Sequence, residues 1–274
     1  MGARVRGQAA APGGSASLDF RSVESNLRHS FRVLASHRPS GELRELDGVT
    51  IASAGVVFQM FNAAFLASPV ESDGELEKRI AAAATHFAIR QQEWAYWICE
   101  DWLALKVRRR ARQVFRNHGL HVSAELPGMV AERLRLPERG CPALEIRRVA
   151  DGPTQDAFCA VGSTCFNVPP PWFREVFENR AVWRDFAGYV GYADGEPVTT
   201  AATVAGAGVI GLYNVATLPP HQRRGYGEAV TRHALARAGE EHGIWRSVLQ
   251  ATPQGLRLYE RMGFRSVTTV TVYC

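Results

Sequence analysis

The sequence predicts an α/β (α+β) fold made of two similar-sized units, each with a mixed, mostly antiparallel sheet flanked by helices. The chain has 274 residues, more than one compact domain usually needs, and it is 46% hydrophobic and 22% charged, as globular proteins are. Short strand-like and helix-like segments alternate along it. Pro137, Gly140 and Pro142 cluster near the middle, where regular structure is not expected to continue. This cluster predicts a boundary at about residue 140.

The first unit is predicted to span residues 18–140, after a flexible tail at residues 1–17. The tail is rich in Gly, Ala, Pro and Ser and has no apolar core of a secretory signal. Ser72 and Glu75 have the spacing of a helix capping box, and apolar residues follow them at helical intervals. The unit is therefore predicted to contain a helix near 23–35, a strand and turn within 49–61, a helix at about 73–90, a strand at 94–100 and a basic helix at 103–117.

The second unit, residues 141–274, has clearer signals. Asp194-Gly195 is typical of a hairpin turn, Gly243 and Gly263 are typical of helix ends, and Thr252-Pro253 is typical of a helix start. The predicted strands cover 144–149, 189–193, 197–204, 209–217, 248–251 and 267–273. The predicted helices cover 154–165, 172–178, 227–242 and the segment from Thr252 to Gly263.

Composition argues against several classes of protein. A net charge of +5 suits an anionic small ligand as well as nucleic acid, and no nucleic-acid recognition motif accompanies it. The five cysteines form no C-x-x-C pair, which argues against a zinc site or a disulfide framework and favours the cytoplasm. No apolar run is long enough to span a membrane. We therefore expect no metal, no nucleic acid and no membrane partner. The sequence does not indicate the oligomeric state.

One segment has the composition of a phosphate-binding loop. The predicted strand 209–217 is followed by Pro219-Pro220, then by Gln222-Arg223-Arg224-Gly225-Tyr226-Gly227, then by a helix. Unpaired N–H groups and the dipole at a helix start attract anions, and glycine lets a phosphate approach the main chain. The spacing matches neither the Walker loop nor the dinucleotide fingerprint. From spacing alone, a simple tight turn remains open.

The same segment resembles a known family. Q-R-R-G-Y-G is similar to the Q/R-x-x-G-x-G/A signature of the GNAT superfamily of acetyltransferases, and Leu258–Phe264, LYERMGF, resembles its second signature about 35 residues later. The resemblance covers about Leu144–Tyr273. The first unit resembles a degenerate GNAT domain without the loop. The chain as a whole thus resembles tandem GNAT proteins in which the C-terminal domain is catalytic.

The resemblance implies acetyl-CoA as cosubstrate and assigns the site residues. Tyr259 is expected to donate a proton to the leaving thiolate. The alternative is that Tyr259 is an aromatic residue of the hydrophobic core without a catalytic role. Asn214 is expected to position a water or the acceptor amine. The alternative is that Asn214 is a bulge residue that bonds the backbone. Thr252 stands where many members have Asn, so its contact with cofactor is open. The residues expected to hold acetyl-CoA are Val215, Ala216, Thr217, Leu218, Gln222, Arg223, Arg224, Gly225, Tyr226, Gly227, Glu228, Thr252 and Tyr259.

The resemblance also places the acceptor beside the loop that joins the first two helices of the second unit. Phe166, Asn167 and Trp172 are the expected substrate-binding residues. The expected activity is N-acetylation of a small-molecule or peptide amine by direct attack on the thioester. The alternatives are an acyltransferase with another acyl-CoA donor or a hydroxyl acceptor, and a non-catalytic acyl-CoA sensor.

Overall fold

The structure is a computed structural model that describes residues 14–274, with side chains from Asp19 onward. The predicted mixed α/β architecture is confirmed. The helices are α1 Gly14–Ser36, α2 Asp73–Ile89, α3 Leu105–Arg108, α4 Ala111–Asn117, α5 Gly152–Phe166, α6 Pro170–Phe177, α7 Tyr226–His242 and α8 Leu256–Met262. The strands are β1 Glu42–Leu46, β2 Val49–Ser53, β3 Asn62–Leu66, β4 Ala95–Cys99, β5 Val122–Ala131, β6 Glu145–Arg148, β7 Phe186–Ala193, β8 Glu196–Gly206, β9 Val209–Thr217, β10 Ser247–Gln250 and β11 Arg265–Tyr273.

A single sheet contains all of these strands, in the order β1-β2-β3-β4-β11-β5-β10-β9-β8-β7-β6. Strand β5 comes from the first half of the chain but lies between β10 and β11 of the second half. Strand β11, near the end of the chain, pairs in turn with β4 of the first half. The two halves therefore exchange a strand at the centre of the sheet.

The sheet repeats one arrangement on either side of its central β11–β5 pair. On one side the chain runs β3, α2, β4, and on the other it runs β9, α7, β10. These two crossovers give the two parallel strand pairs between the strands described here, and the remaining neighbours are antiparallel. A strand–helix–strand unit with parallel strands thus occurs once in each half.

Helix α1 binds the two halves together. The buried side chain of Asn26 donates to the carbonyl oxygen of Gly206 (3.0 Å) and accepts from the Tyr213 hydroxyl (2.6 Å). The buried carboxylate of Asp19 pairs with Arg246 and with Arg265. Buried polar groups need such partners, so they fix the position of the helix on the sheet. None of the helices within residues 14–274 is both long and apolar enough to cross a bilayer.

The observed helices differ from the predicted ones in their caps and their bounds. The capping of α2 is confirmed on one side, since Ser72 Oγ accepts from the Glu75 N–H at 3.3 Å. The Glu75 carboxylate, however, accepts from the N–H of Glu71. The basic helix predicted at 103–117 is interrupted between α3 and α4. Helix α1 begins at Gly14, within the segment predicted to be a tail; the rest of that segment, residues 1–13, lies outside the described residues.

Candidate active site

The central feature of the site is a gap between strands β9 and β10. The two strands pair in parallel only where Ile210 and Gly211 face Ser247 and Val248. Beyond Gly211, β9 continues to Thr217 and remains paired with β8 on its other side. The edge of β9 that faces β10 is thus open over its last residues, which include Val215, Ala216 and Thr217. An extended ligand with amide groups can pair with such an edge.

A β-bulge lies where the two strands part. Asn214 has φ of +50°, and Asn214 and Val215 together lie opposite Ala201 of β8. The Thr200 hydroxyl donates to the Asn214 carbonyl oxygen at 2.9 Å, which stabilises the bulge. The main chain of Asn214 is therefore that of a bulge residue, as the alternative interpretation predicts. Its half-buried side chain makes no hydrogen bond within the described part of the chain, and bulges of this kind re-aim side chains at active sites.

The loop after β9 has an unusual backbone that ends in the start of α7. Pro219–His221 form a 3-10 turn, and the Gln222 side chain donates to the Thr217 carbonyl oxygen at 3.1 Å. Arg223 and Gly225 have φ of +62° and +86°. No side chain from residues 19–274 caps α7, so its first N–H groups point outward without protein partners. The loop and helix start form a concave group of donors that suits an anion.

Charge and glycine both favour a phosphate at this loop. The side chains of Arg223 and Arg224 are exposed, and neither forms an ion pair within the described residues. A Cβ at Gly225 would lie 3.0 Å from Cδ of Pro142, and one at Gly227 would lie 3.2 Å from Oγ1 of Thr217. Larger residues would therefore push the loop away from its neighbours.

Two other predicted cofactor residues, Tyr259 and Glu228, have defined surroundings. Tyr259 is buried with Leu249 and Ala251, and its ring lies 5.8 Å from that of Phe264. Burial raises the pKa of Tyr259 above that of a free phenol, so the hydroxyl stays protonated at neutral pH. The Glu228 carboxylate pairs with Arg232 at 2.7 Å on the next turn of α7.

The predicted helix start at Thr252-Pro253 is wrong by about one turn. Helix α8 begins at Leu256. Thr252 instead begins a turn, and its carbonyl oxygen accepts from the N–H groups of Gly255 and Leu256, both at 3.0 Å. The hydroxyl of Thr252 also accepts from Gly255 N–H, at 3.3 Å. Thr252 thus makes the hydrogen bonds of a helix cap, but a turn separates it from the first residue of α8.

The predicted acceptor residues lie at one end of α5 and α6. Helix α5 ends at Phe166, and its C-cap Asn167 is left-handed, with φ of +52°. Helix α5 packs against β9. The aromatic side chains of Phe166 and Trp172 are 38% and 40% exposed. The structure thus brings this loop to the end of β9, beside the gap.

The corresponding gap in the first half is closed by the chain itself. Val70 N–H donates to the Trp102 carbonyl oxygen (2.8 Å), and Ala104 N–H donates to the Val70 carbonyl oxygen (2.9 Å), which joins the segments that follow β3 and β4. The Arg79 guanidinium donates to the Ser68 carbonyl oxygen at 2.6 Å, and Ser72 caps α2. The segments that would line a gap are therefore paired here, and one N–H group at the start of α2 is capped by a side chain.

Comparisons with known proteins agree with this geometry. Residues 182–266 match the acetyltransferase (GNAT) domain family. No curated protein sequence matches the chain. A GCN5-related N-acetyltransferase from Kribbella flavida superposes with a TM-score of 0.71 at 22% identity, over 93% of this chain and 95% of that one. A functionally unknown conserved protein from Staphylococcus epidermidis ATCC 12228 gives 0.60 at 13% identity, over 85% and 93%. A GCN5-related N-acetyltransferase from Sphaerobacter thermophilus gives 0.53 at 14% identity, over 82% and 79%.

Proposed function

Because residues 182–266 match the acetyltransferase (GNAT) domain family, we propose that this chain transfers the acetyl group of acetyl-CoA to the amine of a small molecule or a peptide. The observation that carries the proposal is the open edge of β9 leading directly into the uncapped start of α7. This combination offers one surface for amide groups and one for phosphates, in the order in which they occur along CoA.

The residues of the second half fit such a cosubstrate. Val215–Leu218 would pair with its amide groups, and the N–H groups of residues 223–227 would bind its pyrophosphate, with the side chains of Arg223 and Arg224 adding charge. Gln222 fixes the loop to the strand, and Glu228 orders the first turn of α7 through Arg232. Thr252 lies at the turn after β10, on the opposite side of the gap.

The proposed chemistry requires little from the side chains beyond positioning and one proton. The thioester supplies an activated acetyl group. The chain's part is to hold a neutral amine near it, to stabilise the developing oxyanion with fixed donors and to protonate the departing thiolate. We assign the last task to Tyr259, because its buried hydroxyl is protonated at neutral pH. The proton that the acceptor nitrogen loses as the amide forms, passed through water, restores the phenol. Asn214, at the bulge, is placed to orient the amine or a water molecule.

The gap between β9 and β10 is open, whereas the corresponding gap in the first half is closed, and this difference suggests how function is divided between the two halves. We propose that residues 18–140 form a GNAT-like domain that has lost cofactor binding and that residues 141–274 carry catalysis. The repeated strand–helix–strand units support this proposal. The closed gap around Val70 and the self-capped start of α2 account for the loss. One acetyl-CoA per chain is the expected stoichiometry.

Calorimetric titration of the purified chain with acetyl-CoA, with NADH and ATP as controls, tests the proposal. Binding of one acetyl-CoA and neither control is expected. Replacing Arg223 and Arg224 with Gln should weaken binding about tenfold, whereas the matched change of two other exposed arginines, Arg109 and Arg116, should have no effect. Equal effects of the two double variants would contradict the loop assignment.

Turnover is tested separately, by CoA release in the presence of amine and alcohol acceptors and with acetyl-, propionyl- and longer acyl-CoA donors. Tyr259→Phe should lower kcat about 100-fold and leave the Kd of acetyl-CoA unchanged. Faster transfer from a longer donor, or to an alcohol, would favour the alternative acyltransferase. Binding with no turnover of any acceptor would favour the sensor.

A further inference from the structure

A segment of the first half lies against the predicted acceptor loop of the second half. Val57, in the turn between β2 and β3, is 59% exposed, and Trp172 at the start of α6 is 40% exposed. The ring of Phe58 lies 6.3 Å from the ring of Trp172. Exposed apolar side chains that lie together, unlike single ones, often mark a surface that binds a ligand or a partner. We define the aromatic wall as Val57, Phe58, Phe166 and Trp172; the ring of Phe166 lies 6.1 Å from that of Phe173, the residue after Trp172.

The wall is rigidly held on the first-half side. The Val57 N–H donates to the Glu175 carboxylate of α6 at 3.0 Å. Arg38, at the end of α1, donates to the Ala54 carbonyl oxygen at 2.8 Å and also to the carbonyl oxygen of Glu175. The guanidinium therefore joins the segment before Val57 to α6. A surface held in place by hydrogen bonds can select ligands, because little ordering entropy is lost on binding.

The aromatic wall is connected to the bulge on β9. Phe58 and Phe61 pack against the same buried cluster as Tyr213, the residue before Asn214. On the other side, Phe166 is the last residue of α5, and this helix packs against β9. Both ends of the wall are thus connected to β9.

The carboxylates around the wall are already paired. Asp156 pairs with Arg174 at 2.6 Å, and Asp185 pairs with His37 at 2.5 Å. Glu175 is held by Arg38 and by the Val57 N–H. A polycationic acceptor needs unpaired carboxylates nearby, and these three do not provide them. The chemistry of the wall favours an apolar body on the acceptor.

We infer that Val57 and Phe58 of the first half determine acceptor specificity, selecting with Trp172 a primary amine that carries an aromatic or branched aliphatic body. This inference rests on the proposed N-acetyltransferase function. It also gives the first half a role, since that half supplies one wall of the acceptor pocket in place of a second cofactor site.

The test compares apolar acceptors, 2-phenylethylamine and leucine amide, with the polycations spermidine and kanamycin at saturating acetyl-CoA. The apolar amines should have the higher kcat/KM. Val57→Asn and Trp172→Ala should raise their KM about tenfold with kcat little changed. Ile89→Asn is the matched control, because Ile89 is 75% exposed on α2, and it should change neither constant.

Acetyl-CoA binding, measured by calorimetry on each variant, separates this inference from the proposed function. If the unaltered chain does not bind acetyl-CoA, the proposed function fails. If it binds acetyl-CoA but prefers the polycations, leaves the apolar amines unreacted, or responds to neither wall substitution, the specificity inference is overturned.

Discussion

The exchange of β5 and β11 predicts that neither half folds alone. Separating residues 141–274 from the rest removes β5, with buried Met129 and Val130, and α1, with buried Val23, Leu27 and Phe31. Each of these side chains contributes roughly 1.5–3 kcal/mol when buried, so the loss is about 8–15 kcal/mol. That equals the typical stability of a whole domain, about 5–15 kcal/mol. The isolated fragment should therefore be unfolded and should not bind acetyl-CoA.

Cutting the chain without removing either half provides the control. Residues 136–141 are exposed, so a protease site inserted between Glu138 and Arg139 should not disturb the sheet. After cleavage the two pieces should elute together on gel filtration, keep their circular dichroism spectrum and bind acetyl-CoA. A fragment 141–274 that folds alone and binds acetyl-CoA as tightly as the full chain would refute the reasoning, and so would cleaved halves that drift apart.

Two further predictions concern titratable groups. Hydrogen bonds from Arg90 lower the pKa of Glu42 to about 2 from an ordinary value of 4.5, so its carboxylate stabilises the fold above pH 4.5 and loses this effect as the pH falls toward 2. In urea unfolding, Glu42→Gln should therefore cost about 1 kcal/mol at pH 7 and much less at pH 3; an equal cost at both would contradict this account. Burial raises the pKa of Cys99 and Cys159 to about 12, whereas Cys141 is exposed. Iodoacetamide at pH 8 should label Cys141 first and the two buried thiols only in denaturant, and mass mapping of early labelling at either buried thiol would show the reverse.

Local chemistry explains which elements could be predicted. The hairpin at Asp194-Gly195 needs two residues with positive φ, and the structure gives them +51° and +83°. The stop of α7 at Gly243 and the cap of α2 at Ser72 likewise depend on single residues and their near neighbours. Such features are encoded within a few positions, so a sequence pattern contains them completely.

Strand β5 shows why other elements could not be predicted. It contains Pro127 and Gly128, which usually indicate a turn. In the structure, a Cβ on Gly128 would lie 2.5 Å from Cγ2 of Thr268 and 2.9 Å from Cγ1 of Val23. The glycine thus allows close packing with β11 and α1. Both contacts join residues more than 100 positions apart, and no local pattern records them.

By itself the sequence determined the mixed α/β class and most helices, and it predicted an anion-binding loop at Gln222–Gly227. These follow from periodicity, capping and glycine spacing, which act over short distances. Only the tertiary structure decided that the halves share one sheet, that the gap near Val70 is closed and that Phe58 lies against Trp172. Strand order and the contacts between halves depend on which distant surfaces bury each other, and hydrophobic burial has no direction that a sequence pattern can specify.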